Sequence, residues 1–226
     1  MNKKNLKNKN IKNSKIVFPI AVGFTISIVL NFLINLNIGL NPNLLDDNFR
    51  IILGQISNWI IVVILLSIIF FWEKNSLESA GIKKFYVKDL IWGFIALIVG
   101  FIIFFISDVL INSLNFVSQS SERVHFLLIP FIIRIFMVFT TGITEEIIFR
   151  GYLIERTNMI TNSLIFSSII SLIVFTIFHI PFWGIIGALQ VGFWAIPITI
   201  LYVRLRNLPI CIIIHIIYDA TILLSF

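Results

Sequence analysis

The chain has 226 residues, 58% of them hydrophobic and only 12% charged, with a formal net charge of +6 and a mean hydropathy of +1.02. A soluble domain of this length cannot hide so much apolar side chain, so a soluble globular class is excluded and the bilayer is the expected solvent. The basic residues are scattered between apolar runs rather than gathered on a face; this fits loop charge and argues against a nucleic-acid partner. The single Cys211 excludes an internal disulfide framework.

The first fifteen residues carry six lysines (Lys3, Lys4, Lys7, Lys9, Lys12 and Lys15) among asparagines and read as a disordered, basic cytoplasmic tail. Residues 16–226 read as one transmembrane domain. Seven apolar runs approach the roughly 20 residues that a spanning helix needs: about 16–36, 55–72, 89–110, 127–157, 163–180, 184–203 and 208–225. The first ends in Asn-rich sequence without a small-x-small cleavage site, so it is expected to be a retained span rather than a signal peptide. Asn41-Pro42-Asn43, Glu73-Lys74-Asn75-Ser76, a short outer turn near Pro181, and Asn207-Leu208-Pro209 punctuate the runs. The expected fold is an all-α polytopic transmembrane bundle of about seven spans. With the basic tail inside, the inner segments also hold Lys74, Lys83, Lys84, Lys88, Arg156, Arg204 and Arg206, against Arg50 and Arg123 outside. That asymmetry predicts a cytoplasmic N-terminus and an external C-terminus.

Within these runs lie ionisable residues, which are costly at membrane depth and are functional candidates by default. In Thr144-Glu145-Glu146-Ile147-Ile148-Phe149-Arg150-Gly151, Glu146 and Arg150 are four apart and can pair on one face. Glu145 points about 100° away and lacks an intrahelical partner. A poorly solvated carboxylate with no cation beside it suits a proton acceptor. Phe175 and His179 share a face of the next run. The midpoint of residues 145 and 179 falls in the polar stretch 158–163, so an antiparallel hairpin would bring Glu145 and His179 to equal depth. His215 and Asp219 form a third pair, four apart on the last run. Asp108 and Arg134, at similar depth and of opposite sign, are expected to be a structural ion pair.

Glu-Glu-x-x-x-Arg, Phe-x-x-x-His and His-x-x-x-Asp, in this order on successive apolar runs over about residues 130–222, resemble the CPBP family of intramembrane endopeptidases. That family includes type II CAAX prenyl proteases and bacteriocin-processing or immunity proteins of the Abi group. The resemblance implies that Glu145 and His179 activate a water to attack a peptide carbonyl. It also implies that His215 and the residue at 219 stabilise the oxyanion, with Glu146, Arg150 and Phe175 supporting. The family pattern allows Asn at the last position, whereas an ionised Asp219 only accepts hydrogen bonds. Either Asp219 is protonated, or it orients His215. The expected cofactor is none; a zinc held by Glu145, His179 and His215 is the alternative, although no His-Glu-x-x-His helix is present. The expected partners are the lipid bilayer and a peptide or membrane-associated protein substrate. Heavy use of Lys, Asn and Ile points to an AT-rich bacterial genome and hence to a bacterial plasma membrane. The rival reading is a non-proteolytic immunity or scaffold protein, or a proton-coupled transporter. The inverted repeats and broken helices of a transporter are not evident in the sequence.

Overall fold

A computed structural model describes residues 22, 23, 25, 47–114 and 128–224. The basic tail at 1–15, nearly all of the first expected span and the loop holding Arg123 lie outside the described residues. Among those described, all regular structure is helical. Helix α1 spans Asp47–Ser67 and runs on through a π-helical turn, Ile68–Trp72. A 3-10 turn at Leu77–Ala80 leads to α2, Val87–Ser113. Helix α3, Phe131–Glu145, continues as a π-helix over Glu146–Ile154 and then as α4, Glu155–Thr161. Helices α5, Leu164–Leu205, and α6, Leu208–Leu223, complete the bundle.

Local chemistry sets the ends. The Asp89 carboxylate accepts the Tyr86 backbone N–H at 3.0 Å, closing the first turn of α2. Asn162 adopts the left-handed conformation that stops α4, and Ser163 then caps α5 by accepting the Phe166 N–H. Pro209 sits in the first turn of α6, where its missing N–H costs nothing.

Three helices, Asp47–Trp72, Val87–Ser113 and Leu164–Leu205, are long and apolar enough to cross a membrane. Large apolar side chains face outward along them, such as Phe105, Ile98 and Ile200, as lipid-facing residues do. The chain is a multi-pass membrane protein. Two expected boundaries are corrected. Helix α1 is already formed at Asp47 rather than starting near 55, because Arg50 turns toward an internal cavity instead of lipid. The expected turn near Pro181 lies at Gly184, with φ 65° and ψ −179°. Proline holds φ near its helical value, whereas the reversal needs the positive φ that glycine adopts freely. The two limbs of α5, 164–183 and 185–205, fold back on each other. A Cβ on Gly192 would collide with Thr176, which a straight helix would place about 24 Å away at 1.5 Å per residue.

At one end of the bundle the 73–81 segment, α4 and the 205–208 turn meet. Arg156 donates to Glu73 and Ser79, Arg206 pairs with Glu155, and the Leu208 N–H donates to the Gly81 carbonyl. Helices α1 and α3 run in the same direction, since Trp59 Nε1 donates to Thr140 Oγ1 at 3.1 Å and Arg156 reaches back to Glu73.

Candidate active site

The site is built where α3, its π-helical continuation, the first limb of α5 and α6 converge. Gly142 makes the approach of α3 to α6 possible: a Cβ there would lie 3.1 Å from the Ile216 backbone nitrogen. This contact, one turn from Glu145 and beside His215, brings the acidic and histidine motifs to one level.

Glu145, His179, His215 and Asp219 all line a cavity of about 490 Å³. Glu145 Oε2 lies 4.0 Å from His179 Nε2 and 3.9 Å from His215 Nε2, too far for direct hydrogen bonds. His179 Nδ1 is 2.8 Å from the Phe175 carbonyl, which can only accept, so Nδ1 carries a proton and Nε2 faces Glu145. The Phe175 ring lies 4.4 Å from the imidazole and meets Phe149 edge-on at 5.0 Å, fixing the plane of His179.

His215 is held differently. Its Nδ1 donates to Glu146 Oε1 at 2.8 Å, which leaves Nε2 toward Glu145 and 3.6 Å from Asp219 Oδ2. The same Glu146 oxygen accepts from Arg150 Nη1 at 2.9 Å. Arg150 is buried; it reaches Thr199 Oγ1 at 3.4 Å and stacks 4.7 Å from the centre of the Phe175 ring. One guanidinium therefore ties the π-helical segment to both limbs of α5, while its carboxylate partner orients His215. π-Helical segments are rare and frequent at functional sites; here nine consecutive buried residues, 146–154, carry both Glu146 and Arg150. Asp219 Oδ2 accepts from Thr141 Oγ1 at 2.7 Å.

The structure thus brings Glu145, Glu146, Arg150, Phe175, His179, His215 and Asp219 into one constellation. It does not bring Asp108 to Arg134. Asp108 accepts from Gln190 and Asn112. Arg134 donates to the Leu223 carbonyl at 3.0 Å and lies over the Phe131 ring. Similar depth alone did not make them neighbours, because each met nearer polar groups. The Glu146–His215 bond was not foreseen, since nothing in the sequence relates residues 69 apart. Thr141 could have been found, being four residues before Glu145 on the same face. So could Gln55 and Asn58, polar residues at helical spacing in an apolar run, which line the same cavity. For a metal, ligand bonds of about 2.0–2.2 Å at tetrahedral angles need donor atoms about 3.4 Å apart, and the spacings around Glu145 are wider. Among the described residues, no three His, Cys, Asp or Glu side chains are grouped to hold a metal ion.

Residues 127–221 match the family described as Rce1-like, type II CAAX prenyl endopeptidase Rce1-like. No curated protein and no solved structure matches the chain. Residues 127–221 are therefore an Rce1-like domain.

Proposed function

We propose that this Rce1-like domain is an intramembrane endopeptidase in which Glu145 activates water without a metal. The observation that carries the reading is the placing of Glu145 Oε2 at 4.0 and 3.9 Å from the outward nitrogens of His179 and His215, on a cavity wall. Two hydrogen bonds of about 2.8 Å meeting at a bent angle span about 4 Å, the separation that one water bridges.

Such a water gives one hydrogen bond to Glu145 and the other to the unprotonated Nε2 of His179. As its oxygen attacks the peptide carbonyl carbon, Glu145 takes its proton and the carbonyl π bond opens to an oxyanion. His215, its Nδ1–H held by Glu146 and with Nε2 also protonated, donates to that oxyanion. Collapse of the tetrahedral intermediate breaks the C–N bond, and the proton on Glu145 passes to the leaving amine. Asp219, anchored by Thr141, keeps the His215 ring in place.

The substrate is a peptide or membrane-associated protein, of CAAX or bacteriocin-precursor type. The chain crosses a plasma membrane seven times, its basic end in the cytoplasm. The test is reconstitution in proteoliposomes with an internally quenched, farnesylated CAAX-type peptide and with a bacteriocin-type precursor peptide. Cleavage of either by the wild type, and of neither by Glu145→Gln, is expected. Equal cleavage by both proteins would refute the assignment. A protein that cleaves nothing yet protects cells from a bacteriocin would favour an immunity role.

A further inference from the structure

The Glu145 constellation occupies one wall of the cavity; the facing wall comes from α1. Its cavity-lining residues include Gly54, Gln55 and Asn58. Among the described residues, the Gln55 carboxamide oxygen is buried without a hydrogen-bond partner, an expensive state for a polar atom unless something arrives to satisfy it. Among the described residues, a Cβ on Gly54 would meet nothing within 4 Å, so they leave the wall open beside Gln55. The Trp59–Thr140 bond locks the rotation of α1 and keeps this face toward the site.

We propose that Gln55 and Asn58 hydrogen-bond the main chain of an extended substrate peptide lying between α1 and the Glu145 site. This rests on the endopeptidase reading and names the residues that would position its substrate. A carboxamide carries both donors and an acceptor, matching the N–H and C=O groups of an extended backbone. Side chains three apart on a helix are about 5–6 Å apart at Cβ, and like-facing groups of an extended chain repeat at about 6.7 Å. Gln55 and Asn58 can therefore engage successive repeats. Position follows from register. Trp59 is level with Thr140, and Glu145 lies five residues further along the parallel α3. At 1.5 Å per residue, Asn58 and Gln55 stand about 9 and 13 Å above Glu145. An extended chain covers that in about three to four residues. The contacts thus fall three to four residues to one side of the scissile bond and read backbone rather than side chain.

The test uses binding, so that it stands apart from catalysis. A farnesylated CAAX-type dodecapeptide and analogues with single backbone N–H groups replaced by ester oxygen are titrated against full-length Glu145→Gln protein in nanodiscs. One ester, three to four residues from the scissile bond, should weaken binding at least fivefold. That penalty should vanish in Glu145→Gln/Gln55→Leu, because the acceptor is already gone. Gly54→Leu, which fills the open wall of a helix that tolerates leucine, should abolish binding while leaving the melting temperature unchanged. Penalties that multiply, Gln55→Leu and Asn58→Leu proteins that bind like their parent, or no binding to any of the proteins would each overturn the proposal. A coupled penalty with no cleavage by wild type would uphold it and sink the endopeptidase reading; cleavage without coupling would do the reverse.

Discussion

Two buried ionic clusters lie about ten residues apart on the continuous helix from 131 to 161, and they are finished to different degrees. Around Arg156 and Glu155 every charged side chain is paired. Arg156 makes bonds of 2.6–3.3 Å to both Glu73 oxygens and to Ser79, and it lies over the Tyr152 ring. Glu155 accepts from Tyr202 at 2.6 Å and from Arg206. Around Glu145 pairing capacity is held back. Glu145 makes no hydrogen bond among the described residues, and the second Glu146 oxygen is buried without one. A cluster built only for stability has no reason to leave carboxylates short of partners in a poorly solvated place. The difference separates a latch from a site.

The comparison breaks most severely if Glu145→Gln is harmless. That substitution should lower peptide cleavage by about 10²–10⁴-fold with an unchanged melting temperature in detergent, read from initial rates and scanning calorimetry on one preparation. At the latch the expected loss is of fold. Arg156→Met strands Glu73 as a buried unpaired charge and should destabilise by about 3–5 kcal/mol. Arg156→Met/Glu73→Leu should recover much of this. Denaturant titration of the three proteins checks it, and recovery of nothing would mean that the pair does more than balance charge. Glu146→Gln blurs the two classes by design: it releases the His215 ring and weakens the Arg150 tie. It should cut kcat by roughly 10²-fold or more, as losing the carboxylate behind a catalytic imidazole does, with KM little changed. Asp219→Asn can keep the Thr141 bond and should stay within about tenfold of wild type on the same substrate. Smallest of all, stripping with a strong chelator should leave the rate unaltered. A loss restored by zinc and not by magnesium would make Glu145 a ligand.

Much of the site was legible in the sequence because its spacing is local. Pairs four apart share a helix face, and the hairpin midpoint at residue 162 relates Glu145 to His179 without knowledge of tertiary packing. What could not be read depends on helix rotation and on contacts between distant segments. The Glu146–His215 bond requires the backbone approach at Gly142, and the separation of Asp108 from Arg134 reflects Gln190 and Leu223 lying nearer to them. Helix boundaries followed the same rule. Hydropathy trimmed α1 to begin near 55 because it scores Arg50 as though it faced lipid.

The aromatic wall beside His215 has an optical consequence. Trp194 stacks on Tyr218 at 3.8 Å between ring centres and lies 5.1 Å from the His215 imidazole, on the cavity lining. Indole emission is quenched by an adjacent imidazolium and shifts as neighbouring solvent is displaced. With Trp72, Trp92 and Trp183 replaced by phenylalanine and Trp59 kept for its bond to Thr140, Trp194 would be the fluorophore against the ring assigned to the oxyanion. Peptide arrival could then be timed in unlabelled protein by stopped flow, separately from bond cleavage.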